Sequence, residues 1–90
     1  MNKTAVCPGS FDPITVGHLD IISRAARLFD RVVVLVSVNA AKHTSLSLEE
    51  RVELARKVTA HLDNVCVESF DGLLVDYLRG LGDCAIVKGV

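Results

Sequence analysis

The 90 residues predict an α/β fold in which a parallel sheet of strand order 3-2-1-4 alternates with helices. Three observations predict it. Short apolar runs rich in strand formers alternate with segments whose apolar residues recur at helical spacing. The run Val32–Val38 is almost unbroken and β-branched, the composition of a strand buried on both faces of a parallel sheet. The first run and first helical segment are joined by Pro8-Gly9-Ser10-Phe11-Asp12-Pro13-Ile14-Thr15-Val16-Gly17-His18, with more special residues than a purely connecting turn needs.

The first strand is Thr4–Cys7, short and apolar. Thr15 is placed to cap the first helix, about Val16–Phe29, whose inner face is Leu19, Ile22, Ala26 and Phe29. Strand two is Val32–Val38, and a polar connection, Asn39–Ser45, follows with Lys42, His43 and Thr44. Ser47-Leu48-Glu49-Glu50 is a capping box opening the second helix, and Leu48, Val52, Ala55, Val58 and Leu62 form its apolar stripe. Glu50 and Arg51 are read as helix surface or as a helix-to-loop tie, and His43 and His61 are assigned to solvent. Asp63-Asn64 turns the chain into strand three, Val65–Phe70. A third helix, about Leu73–Arg79, is stopped by Gly80 and Gly82, and strand four is Cys84–Lys88.

Strict alternation implies right-handed crossovers and the opening half of a doubly wound sheet. In the order 3-2-1-4, strands one and four are neighbours at the switch point. The crevice beyond their carboxyl ends gathers Ser10, His18, Lys42 and Lys88.

Composition allows one domain over residues 1–90, with half the residues hydrophobic. A net charge of −1 gives no basic surface for nucleic acid. No apolar run reaches spanning length and no basic leader precedes an apolar stretch, so neither a membrane segment nor a signal peptide is expected. Cys7, Cys66 and Cys84 are too far apart for a zinc or disulfide framework and read as reduced core thiols of a cytoplasmic protein.

The turn itself carries chemistry. First-turn N–H groups lack partners inside a helix and the helix dipole there favours an anion, which makes the segment a candidate phosphate site. His18 adds an imidazole at the same place. Neither G-x-x-x-x-G-K-[ST] nor G-x-G-x-x-G is present. On Gly9, Ser10 and Gly17 alone, a purely structural turn is the better reading.

The stretch P-G-S-F-D-P-I-T-V-G-H resembles the signature of the HxGH nucleotidyltransferase superfamily, and its Thr15 form is similar to that of bacterial phosphopantetheine adenylyltransferases. Lys42, Leu48-Glu49-Glu50-Arg51-Val52, Gly72-Leu73-Leu74-Val75-Asp76 and Ile86-Val87-Lys88-Gly89 follow in the family's order. The resemblance implies a Rossmann-like nucleotidyltransferase fold that transfers AMP from ATP to 4′-phosphopantetheine, giving dephospho-coenzyme A and pyrophosphate. It implies that His18 stabilises the transition state at the α-phosphate and that Ser10 lies between nucleotide and acceptor phosphate. By the same resemblance, Phe11 would offer its backbone to the nucleotide, and Gly89 and Val90 would begin the nucleotide loop. Lys42 and Lys88 would hold the acceptor phosphate, and Leu74 would meet the pantetheine arm. The resemblance further implies magnesium on the triphosphate and a hexameric assembly.

Two alternatives stand beside this one. Superfamily enzymes that make CDP-glycerol or NAD generally carry His where Thr15 stands, which counts against them. The other is a non-catalytic nucleotide-binding fragment. The family continues for roughly another half domain past the position of Val90, with further Ser and Arg residues for the nucleotide. These 90 residues alone are therefore expected to be marginal, self-associating and inactive.

Overall fold

The computed structural model describes residues 3–38, 46–70, 76, 79–80 and 84–87. Strands β1 (Thr4–Gly9), β2 (Arg31–Ser37), β3 (Val65–Phe70) and β4 (Cys84–Ile86) form one sheet, with helices α1 (Val16–Leu28) and α2 (Leu48–Thr59). Of the expected third helix, Asp76 and Arg79 are described and helical. Gly80 is helical too and does not stop it, a boundary error of the size usual at helix ends. Gly82 and the remaining residues of that helix lie outside the described residues.

The sheet order is β3-β2-β1-β4, as the alternation predicts, and every pairing is parallel. Val32, Val33, Val34 and Val36 are 0 % exposed, so β2 is buried on both faces. On one face Ala5, Cys7, Val32, Val34 and Val36 pack with Ile22 and Ala25 of α1, Ala55 of α2, and Phe11 and Val67. Both helices lie on that face because two consecutive right-handed crossovers step across the sheet in the same direction. On the other face Val6, Val33 and Leu35 pack with Cys66, Phe70 and Cys84.

β1 runs two residues further than Thr4–Cys7. Pro8 pairs with Leu35 and Gly9 with Val36 of β2, whereas the pairing with β4 covers Thr4–Val6. The Val6 carbonyl accepts from Val87 N–H at 2.9 Å, so the backbone groups of Val6 point toward β4. Two residues on, the nitrogen of Pro8 lies on that same side, away from β2. Its missing N–H therefore costs the β1–β2 ladder nothing, which is how a proline is tolerated in a central strand. The site opens beside Pro8 and Gly9, beyond the last described pairing of β1 with β4.

Candidate functional site

A cleft of about 200 Å³ is lined by Cys7, Pro8, Gly9, Ser10, Phe11, His18, Ile21, Ile22 and Val87. It lies beyond the carboxyl end of β1, beside β4, at the switch point of the sheet. Ser10, Phe11 and His18 are brought together in it as the sequence predicts. Lys42, Leu74, Lys88, Gly89 and Val90 lie outside the described residues, so the convergence of the two lysines on this cleft stays an expectation.

The turn is held by local geometry. A Cβ on Gly9 would stand 3.2 Å from Phe11 Cε2, so glycine lets the Phe11 ring fold back against the strand end. Phe11 adopts φ 48°, a left-handed conformation that a bulky side chain takes only when its surroundings enforce it. Its side chain is 5 % exposed. The ring meets His18 edge-on, with centroids 5.1 Å apart and planes at 67°. Asp12 braces the turn across the fold: its Oδ1 accepts from Leu46 N–H at 2.8 Å.

Thr15 is the N-cap of α1, and its Oγ1 accepts from His18 N–H at 3.3 Å. In return His18 Nδ1 accepts from Thr15 N–H at 3.0 Å. This is a capping box with histidine where Glu or Gln usually stands. The bond assigns the neutral ring its tautomer. With Nδ1 accepting from Thr15 N–H and 3.1 Å from Thr15 Oγ1, the proton of the neutral ring belongs on Nε2, which meets no hydrogen-bond partner among the described residues. Among the described residues the N–H groups of Phe11, Val16 and Gly17 meet no acceptor either. The turn thus offers several donors, and its one acid, Asp12, is tied to Leu46 N–H, which suits an anion.

Cys7 is 4 % exposed, and burial pushes its thiol up to about 11. It is a wall of the cleft and stays protonated, so it does not serve as a nucleophile at neutral pH. Cys66 and Cys84 are free and half-buried rather than core thiols. They sit on the sheet face opposite α1 and α2. Glu50 is held below its ordinary value by the Ser47 backbone N–H and then by the Ser47 hydroxyl, as its capping box predicts.

Arg51 was the residue least legible in the sequence. It is 3 % exposed, so the helix-surface reading fails and the helix-to-loop reading holds. Its Nη1 donates to the Ser10 carbonyl at 2.9 Å and to the Ser37 carbonyl at 3.1 Å. The available signal was spacing: Arg51, Ala55 and Thr59 recur every four residues and are the buried line of α2. Among the described residues no three His, Cys, Asp or Glu side chains gather where they could hold a metal ion, and no helix is long and apolar enough to cross a membrane.

Residues 6–90 match the family model described as cytidylyltransferase-like. The phosphopantetheine adenylyltransferase of Symbiobacterium thermophilum is 58% identical over 86 residues, which are 96% of this chain and 53% of that protein. That of Rubrobacter xylanophilus is 59% identical over 86 residues, 96% of this chain and 52% of the relative. That of Streptomyces coelicolor is 58% identical over 88 residues, 98% of this chain and 55% of the relative. The chain therefore spans about half the length of the curated relatives it matches. A crystal structure described as that of a nicotinate-nucleotide adenylyltransferase from Vibrio parahaemolyticus covers 99% of this chain with a TM-score of 0.64, and 75% of that chain is covered. At 15% identity it establishes the fold alone.

Proposed function

The chain belongs to the cytidylyltransferase-like family, and from that premise we propose that it supplies the nucleotide turn and catalytic histidine of a phosphopantetheine adenylyltransferase. The reaction transfers AMP from ATP to 4′-phosphopantetheine and releases pyrophosphate and dephospho-coenzyme A. The observation that carries the reading is His18, with Nδ1 held by Thr15 N–H, Nε2 without a hydrogen-bond partner among the described residues, and no acid group in the described lining of the cleft. Relatives named for this activity at 56% to 59% identity support it.

The chemistry matches what the turn offers. A phosphate oxygen of the acceptor is already ionised at neutral pH, so the nucleophile needs no base. It bonds to the α-phosphorus while the bond from that phosphorus to the bridging oxygen breaks, and pyrophosphate leaves with the electron pair. Negative charge grows on the α-phosphoryl oxygens, and fixed donors that meet it there lower the barrier. His18 Nε2–H is the proposed donor, with Phe11 N–H on the nucleotide and Ser10 between nucleotide and acceptor. Lys42 and Lys88 are proposed to grip the acceptor phosphate, Leu74 the pantetheine arm, and Gly89 and Val90 the nucleotide. Magnesium is proposed to arrive on the triphosphate, its usual carrier. A hexameric assembly and a cytoplasmic setting belong to the same proposal.

The test is pyrophosphate release by the protein at the full length of its relatives, with ATP and magnesium. We expect turnover with 4′-phosphopantetheine and none with nicotinate mononucleotide or with CTP and glycerol 3-phosphate. Turnover with either of the latter and none with phosphopantetheine would overturn the reading.

A further inference from the structure

We propose that Arg51 is a positioning residue for the nucleotide turn. It orients the Ser10–Phe11 peptide so that Phe11 N–H faces the bound phosphate. The inference rests on reading Ser10 and Phe11 as nucleotide contacts. A trans peptide carries its C=O and N–H on opposite sides. Arg51 Nη1 holds the Ser10 carbonyl at 2.9 Å, so the N–H of the same peptide unit, that of Phe11, points away from Arg51. It meets no acceptor among the described residues, although Phe11 is 5 % exposed. The φ of 48° at Phe11 follows on that peptide and needs enforcing, and the Arg51 bond and the Asp12–Leu46 bond both tie the turn to residues 46–51.

Charge points the same way. Arg51 is 3 % exposed, faces two carbonyls, and pairs with no carboxylate among the described residues. Among the described residues its buried Nε has no hydrogen-bond partner. A buried cation without a counter-charge is costly by itself. Placed behind the turn, it favours an anion in front of it. The second carbonyl, that of Ser37, ends β2, so one side chain fixes the carboxyl ends of both central strands relative to each other.

The experiment compares the parent protein, at the full length of its relatives, with Arg51→Met, Arg51→Lys and Thr59→Ala. Thr59 is buried on the same helix and its hydroxyl donates to the Ala55 carbonyl at 2.8 Å, away from the turn, so it controls for lost stability. Three quantities are read while each protein is folded: the Phe11 amide resonance without nucleotide, the affinity for ATP with magnesium, and the melting temperature. Arg51→Met is expected to move the Phe11 amide and weaken ATP roughly ten- to a hundredfold, the effect of losing a charge-assisted hydrogen bond. Arg51→Lys keeps the charge and should recover part of the affinity. Thr59→Ala should lower melting and leave the other two readouts alone. An unmoved Phe11 amide in Arg51→Met, or an equal loss of ATP affinity in Thr59→Ala, overturns the proposal. Should Arg51→Met not fold, Arg51→Lys decides: an unmoved Phe11 amide with unchanged ATP affinity overturns it. A parent that binds no ATP refutes the nucleotide reading, and the Phe11 amide then still tells whether Arg51 sets the peptide.

Discussion

His18 uses its two ring nitrogens differently: Nδ1 serves the helix cap, and Nε2 meets no hydrogen-bond partner among the described residues. Much of this was legible, because turn chemistry is local. Thr15 as cap and the gathering of Ser10, Phe11 and His18 follow from residues within one connection. The reciprocal bond from Thr15 to the ring was not, since T-x-x-H is outside the usual box pattern. Cys7 shows the limit differently: its sequence context gave an apolar strand, and its place as a cleft wall came only with the assembled sheet. Its titration can be predicted with a sign. The thiol is raised from 9.0 to about 11 by burial. The folded state keeps the proton that the unfolded chain releases above pH 9.0, so the contribution is full below that pH and is lost as pH rises toward 11. Between pH 8 and 10.5 the parent should lose about 1–2 kcal/mol more stability than Cys7→Ala, measured by denaturant unfolding at each pH. Equal losses would show that Cys7 does not titrate as its burial requires.

At the scale of elements, all of the apolar stripe Leu48, Val52, Ala55, Val58 and Leu62 packs on the core, Leu62 from beyond the end of α2 at Thr59. The fully buried line beside them, however, is Arg51, Ala55 and Thr59, two of the three polar. Hydrophobic periodicity finds the inner face of a helix to within a residue or so, but it cannot see a polar group that the fold itself satisfies. Thr59 bonds back to Ala55 and Arg51 reaches two strand ends, and neither partner is visible without the sheet. Strand β4 carries its own prediction. It is an edge of the described sheet, Cys84-Ala85-Ile86 bears no charge, and Ile86 is 44% exposed. Uncharged edges of this kind template association. Residues 1–90 expressed alone should sediment above monomer mass, and substituting Ile86→Lys should shift them toward monomer. A monomeric parent with a sharp melt would contradict the edge argument.

For the whole molecule, the order 3-2-1-4 was legible because alternation and handedness leave few topologies and this order is the opening of the common doubly wound sheet. It follows that the first connection opens at the switch point, and the cleft is there. What the order did not convey is how the two central strand ends are locked, which depends on one buried arginine from the second helix. In the proposed reaction this architecture presents a fixed donor, His18 Nε2–H, to charge that appears only during phosphoryl transfer. A contact of that kind lowers the barrier more than it tightens the ground state. The most direct measurement compares His18→Ala with the parent at the full length of its relatives, reading ATP affinity by calorimetry and turnover by pyrophosphate release. The prediction is a loss of turnover of at least about a hundredfold with ATP affinity changed by less than about threefold. A variant that turns over normally, or loses turnover only in step with ATP binding, would contradict it.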